Sequence, residues 1–235
     1  MKYRSTNKNV SLLLSCFILW LLSLTLAFAH DGWLLNKQDI EENISIYYRT
    51  HNTGNVEFRG EMTLETSVHS CIAILRDVKA MPSWVYNVKY AKVLEKVSEL
   101  EAYSYVINTV PFPLTQRDSI IHTVIDQDPE TFAITLTGFS VPDYIAEKDN
   151  YVRIVEVNSY WRFTPLNKKL TKIVFQGYGE PGGYISADIA HNSVFSWLAK
   201  TELWKLPFYT LKQMKSEIRK DKYQKAYFDF LKDLN

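Results

Sequence analysis

Six β-patterned segments follow one another without a helical pattern between them, at residues 91–97, 103–108, 119–126, 131–137, 152–163 and 172–178. They are rich in Val, Ile, Thr, Tyr and Phe, the residues that fit a pleated, half-buried surface. Asp128-Pro129-Glu130 and Leu166-Asn167-Lys168-Lys169 supply turns between neighbours. A chain built this way must form a large antiparallel meander. Upstream, Ile44-Ser45-Ile46-Tyr47-Tyr48 and the alternating run Val56-Glu57-Phe58-Arg59-Gly60-Glu61-Met62-Thr63-Leu64 flank a turn cluster at His51-Asn52-Thr53-Gly54-Asn55, which predicts a hairpin.

Helical patterns lie at the two ends of this β region. Trp33-Leu34-Leu35 and Ile40 suggest a short first helix against the body. Val68, Ile72, Leu75 and Val78 follow helical spacing, with Thr66 or Ser67 as the cap. Pro82 ends or re-aims that helix, and Trp84 follows at once. Residues 185–232 read as a long final helical segment, which Pro207 should kink or restart. Helices segregated onto one antiparallel sheet make an α+β fold. A curved sheet gripping a long helix leaves space between them for a ligand.

The first 29 residues stand apart. Lys2, Arg4 and Lys8 precede a charge-free, mostly apolar stretch at 10–26, and Ala27-Phe28-Ala29 offers small residues where a signal peptidase reads. This is a secretory signal pattern with cleavage before His30; an uncleaved anchor is the alternative. Cleavage would leave 24 basic and 26 acidic side chains, a charge of about −2, and Cys71 alone. An exported chain without a disulfide suits a bacterial periplasm. Cys71 sits in an apolar context and reads as a small buried hydrophobe. The division is then 1–29 signal peptide, 30–219 folded domain and 220–235 helical tail.

Near-neutral charge argues against a nucleic-acid partner. His30, His51, His69, His122 and His191 have no metal-ligand spacing, and there is no G-x-S-x-G or phosphate loop. The sequence therefore points to no cofactor, no metal and no catalytic constellation.

Five motifs in register carry a resemblance: Arg76-Asp77-Val78-Lys79 followed by Trp84; Pro111-Phe112-Pro113-Leu114-Thr115-Gln116-Arg117-Asp118; Tyr151-Val152-Arg153; Trp161-Arg162-Phe163-Thr164-Pro165; and Glu180-Pro181-Gly182-Gly183-Tyr184-Ile185. Across about 56–214 the chain resembles the StAR-related lipid transfer (START) domain family. The resemblance implies a helix-grip fold, in which a nine-stranded curved antiparallel sheet is closed by the C-terminal helix. It implies one hydrophobic ligand, a lipid or sterol-like molecule, in an internal cavity, with transient membrane contact and a monomeric protein. Pro111-Phe112-Pro113-Leu114 would form part of a lid beside the final helix.

Within that frame the expected ligand-binding residues are Trp84, Tyr103, Tyr105, Phe112, Ile121, Thr123, Ile125, Arg153, Val155, Trp161, Ile189 and Leu198. Arg153 shares strand parity with Trp161, which would put it at the cavity edge to hold an anionic head group; pairing with Asp118, Asp143 or Glu147 is the alternative. The family's sterol binders tend to carry an inward Arg where this chain has Thr123. Its phosphatidylcholine binders use an Arg and an Asp where this chain has Met81 and Val85. Arg117-Asp118 reads as a structural pair.

The basic, amphipathic tail (Lys212, Lys215, Arg219, Lys220, Lys222, Lys225 and Lys232, with Leu211, Met214, Ile218, Tyr227, Phe230, Leu231 and Leu234) suggests either membrane docking or packing on the domain. The wider helix-grip superfamily includes polyketide cyclases and hydrolases, so an enzyme using Arg153, Tyr103, Tyr105 and His122 competes with the carrier reading. A ligand-gated sensor or adaptor is a third reading.

Overall fold

A computed structural model describes residues 32–50, 56–110, 112, 114–180 and 204–234. The expected signal peptide, Ile189 and Leu198 lie outside the described residues.

Among the described residues, nine strands form an antiparallel path in the order β1-β2-β3-β10-β9-β7-β6-β5-β4. The strands are β1 (Leu34–Asp39), β2 (Ile44–Thr50), β3 (Val56–Leu64), β4 (Val88–Lys96), β5 (Glu101–Asn108), β6 (Arg117–Gln127), β7 (Ile134–Ser140), β9 (Val157–Asn167) and β10 (Leu170–Gly179). A two-residue strand, β8 (Val152–Arg153), pairs in parallel with β6. This is the α+β helix-grip architecture that the resemblance implied.

One face of the sheet is a continuous apolar surface. Ile44 and Ile46 on β2 stand opposite Met62 and Gly60 on β3. Ile173 and Phe175 on β10 stand opposite the same two residues, and opposite Phe163 and Trp161 on β9. Ile134 and Leu136 on β7 continue the row. Because side chains alternate between faces, this register places every one of these groups on the same side. The Trp161 and Phe175 rings stack 4.0 Å apart, and Phe58 meets Phe175 edge-on at 4.9 Å.

Two helical pieces cover this face. α1 (Val68–Arg76) begins where the Ser67 hydroxyl accepts from the Ser70 N–H at 3.1 Å. It buries Val68, Cys71, Ile72 and Ile74. A 3-10 turn, Val78–Ser83, contains Pro82 and re-aims the chain into the wholly buried Trp84. α2 (Lys205–Glu217) packs Phe208, Leu211 and Met214 against β2, β3 and β10. Gly60 permits the close approach, since a Cβ there would lie 2.7 Å from Leu211 Cδ1 and 3.2 Å from Pro207 Cβ. Pro207 lies in the first turn of α2, where its missing N–H costs little.

Four expectations are corrected. The short first helix is an edge strand, β1, on which Leu34 and Leu35 are exposed, as is Ile40 in the turn after it, and its pairing with β2 is broken by a bulge at Leu35/Lys37. Bulged edges discourage further strand addition. The fourth meander strand starts at Ile134 rather than 131, because Phe132 takes φ 57° and the Asp128 carboxylate holds the Glu130 and Thr131 N–H groups in a turn. The segment 152–163 is two strands, not one, and its break reverses the parity argued for Arg153. The long C-terminal helix does not run to Lys232: after α2 a single turn, α3 (Asp221–Gln224), precedes an irregular strand-free stretch.

That stretch is packed on the body. Tyr223 and Leu231 are buried in the main core. His69 Nδ1 accepts from the Phe228 N–H at 3.0 Å, and Gln127 exchanges hydrogen bonds of 2.8 Å with the Lys232 backbone in both directions.

Candidate functional site

Between the apolar face of the sheet and the α1/3-10 segment lies a cavity of about 390 Å³, within the ~300–1,000 Å³ usual for small-molecule pockets. Its walls are the inward positions of consecutive strands. Ser104 and Val106 come from β5, and Ser119, Ile121 and Thr123 from β6. Leu136 comes from β7, Ser159 and Trp161 from β9, and Phe175 from β10. Leu75, Val78, Met81, Trp84 and Val85 roof it, and Leu206 at the start of α2 closes one side. A smaller cavity of about 150 Å³ shares Leu75, Val78, Ser104, Thr123 and Leu136 and opens beside Arg76, Lys96 and Glu99.

The expected site residues divide between the two faces of the sheet. Trp84, Ile121, Thr123 and Trp161 line the main cavity. Ile125 lines the smaller one. Tyr103 and Tyr105 do not line either, because Ser104 is the β5 residue directly opposite Ile121 and their side chains alternate to the other face. Val155 is exposed in the break between β8 and β9. Phe112 is 96% exposed. Met81 and Val85, the places where an ionic pair would sit in some relatives, both face the cavity as apolar side chains.

Arg153 is not at the cavity edge. Its Nε and a terminal nitrogen donate to the two Asp118 carboxylate oxygens at 2.8 and 3.1 Å. It also donates to the carbonyls of Pro142, Ile145 (3.1 Å) and Ala146 (3.3 Å). The hydrogen bond to Asp118 holds the guanidinium above its ordinary range despite burial. Tyr105 donates its hydroxyl to Asp118 at 3.0 Å, and burial followed by that carboxylate pushes the phenol up. The physical reason for the displacement is the interruption of the strand at 154–156. There Ile154 N–H donates to the Asp118 carbonyl, the Ser140 hydroxyl donates to the Val155 carbonyl and accepts from Val157 N–H. The strand is thus handed from β6 to β7, and the alternation restarts.

The acid–base candidates cluster away from the cavity as well. His122 stacks on Tyr103 at 4.3 Å and meets Glu101 at 2.7 Å, and Tyr103 stacks on Tyr144 at 4.3 Å. Neither Tyr103, Tyr105, His122 nor Arg153 lines the cavity. Cys71 is fully buried in α1, and burial pushes its thiol far up, as suits a packing residue.

Sequence reasoning missed Ser104, Val106 and Ser119, although pairing β5 with β6 around the inward Ile121 and Thr123 would have located them. Phe58, Phe175, Leu75 and Leu206 carried no signal beyond apolarity, since core and cavity lining use the same residue types.

A family model for the START domain matches residues 21–203. The chain belongs to the START domain family. A STAR-related lipid transfer protein from Xanthomonas axonopodis has a crystal structure similar to this one with a TM-score of 0.70 and 31% identity, covering 81% of this chain and all of that chain. An uncharacterized protein of Pseudomonas aeruginosa is 27% identical over 195 residues, 83% of this chain and 90% of its own length. Human StAR-related lipid transfer protein 5 shares the fold at 14% identity, with a TM-score of 0.61 and coverage of 90% and 99%.

Proposed function

We propose that this START domain binds one hydrophobic molecule, a lipid or sterol-like compound, in the 390 Å³ cavity and carries it between membranes. The observation that carries this reading is the apolar lining drawn from five adjacent strands and the α1/3-10 roof. Family membership and the likeness to a STAR-related lipid transfer protein support it. Each methylene withdrawn from water is worth about 0.8 kcal/mol, so a sixteen-carbon chain leaves a bilayer only if something replaces its surroundings by roughly 12 kcal/mol. An apolar cavity supplies that replacement.

The carrier acts as a monomer in the periplasm, with transient membrane contact and no nucleic-acid partner. The N-terminal pattern at 1–29 supports export. Contact through the basic tail is disfavoured, because Lys222 is paired with Asp77 and Lys225 with Asp221, while Tyr223 and Leu231 are buried in the core.

Transfer of a pyrene-labelled lipid from donor to acceptor vesicles tests the reading. A rate that rises in proportion to added protein is expected. A rate indistinguishable from spontaneous exchange, for sterol and phospholipid probes alike, would refute it.

A further inference from the structure

Trp84 is the largest group in the roof of the cavity, and only 1% of it is exposed. Trp161, across the cavity wall, meets it edge-on with ring centroids 6.0 Å apart. The indole Nε1 is enclosed and has no hydrogen-bond partner among the described residues. Three polar groups of the lining already have partners. The Ser159 hydroxyl donates to the Gly138 carbonyl at 3.2 Å, Asn158 donates to the Tyr178 hydroxyl at 2.8 Å, and Tyr178 donates to Glu156 at 2.8 Å. A buried N–H without an acceptor is unfavourable, and a guest that brings an acceptor removes that penalty.

The charge of the lining narrows the guest further. No lysine or arginine occurs among the described lining residues, and Glu180 is the one charged side chain there. Arg153, which could have answered an anion, is committed to Asp118 on the opposite side of the sheet. A phosphate or carboxylate drawn into this space would shed its water and meet no counter-charge among the described lining residues.

Given the hydrophobic ligand proposed above, we infer that the cavity selects an uncharged lipid whose carbonyl or hydroxyl oxygen accepts a hydrogen bond from Trp84 Nε1. The ring walls hold the chain, and the indole N–H fixes its polar end. Phospholipids and free fatty acids are discriminated against because the described lining offers no cationic partner, not by size.

Four sixteen-carbon probes test this with the mature chain: hexadecane, methyl palmitate, palmitate and palmitoyl-lysophosphatidylcholine, each competing with a neutral fluorescent lipid. The wild type should prefer methyl palmitate to hexadecane by about tenfold, the worth of one well-made hydrogen bond. Trp84→Phe keeps an aromatic ring and removes the donor. It should bind hexadecane as the wild type does and lose most of the preference for the ester. In the wild type, the Trp84 indole ¹H–¹⁵N resonance should move downfield with methyl palmitate and stay in place with hexadecane, a readout that stands even if the variant does not fold.

An ester-to-alkane ratio unchanged in Trp84→Phe, or an unmoved indole resonance, would assign the donor to water and overturn the inference. So would tighter binding of palmitate or the lysophospholipid than of the ester. Failure of all four probes, hexadecane included, would bring down the ligand reading itself and this inference with it. Hexadecane binding with an unaltered ratio sinks the acceptor alone.

Discussion

Arg153 and Asp118 stand directly opposite each other across the parallel β8–β6 pair, joined by two hydrogen bonds of 2.8 and 3.1 Å, with side chains only 2% and 1% exposed. The pair anchors the crossing from the 142–146 segment back to the sheet, because the same guanidinium holds the carbonyls of Pro142, Ile145 and Ala146. Removing one partner leaves a buried charge alone. Asp118→Ala is therefore expected to lower stability by roughly 3–5 kcal/mol, measured by urea unfolding. Arg153→Met combined with Asp118→Leu should cost markedly less than the two single changes together. Ligand affinity per folded molecule should be unchanged in Arg153→Met; a loss there would return Arg153 to the binding site.

Leu231 gives the tail a structural role. It is buried beside α1 in the main core, and α3 is tied down by Lys222 and Tyr223, which both donate to Asp77. Burial works to raise the Asp77 carboxyl, and those two hydrogen bonds, the Lys222 charge and the Ala80 N–H together hold the group low. Leu231→Ala should cost roughly 2–5 kcal/mol in thermal or urea unfolding. Binding to anionic liposomes should not change at temperatures where the variant is folded. Weakened liposome binding with intact stability would make the tail a membrane anchor after all.

Acid titration reports on the mouth of the smaller cavity. Hydrogen bonds from Lys96 and then Arg76 hold the Glu99 carboxyl down from 4.5 to about 2. A carboxyl lowered in the folded state stabilises above its unfolded value and loses that contribution as pH falls through its folded value. The pairing is thus fully present above about pH 4.5 and vanishes toward pH 2. Carboxyl ¹³C shifts should place Glu99 near 2, and Arg76→Ala should move it upward. An ordinary value in the wild type would break the bridge.

Filling the cavity should separate folding from loading. Ser104 lines both cavities and is buried on β5. Ser104→Phe should cut lipid uptake by about tenfold or more, with an unfolding cost of no more than ~1–3 kcal/mol, since the ring enters space already open. Unchanged uptake would place the ligand elsewhere.

The sheet was legible because its signals are local. Alternation at 56–64, turn residues at Asp128-Pro129 and the cap at Ser67 each act within a few residues. β1 was read as a helix from the apolar Trp33-Leu34-Leu35 and Ile40, yet edge pairing to β2 decided the conformation of Leu34–Asp39. Arg153 was misplaced by a parity argument that required an unbroken strand, and nothing apolar or polar in Ile154-Val155-Glu156 announces the break that Ser140 stabilises from a distant strand. Ile121 and Thr123 line the main cavity and Ile125 the smaller one, whereas Ser104 required the β5–β6 register. Long-range pairing, not residue type, sets which polar groups face the cavity.

Native mass spectrometry of the protein, isolated from its own cells without detergent, tests the central claim most directly. A single stoichiometric adduct, extractable into organic solvent and identified as an uncharged lipid, is the result this account predicts. A protein that is empty as isolated, and stays empty after incubation with vesicles of its own membrane lipids, would contradict it.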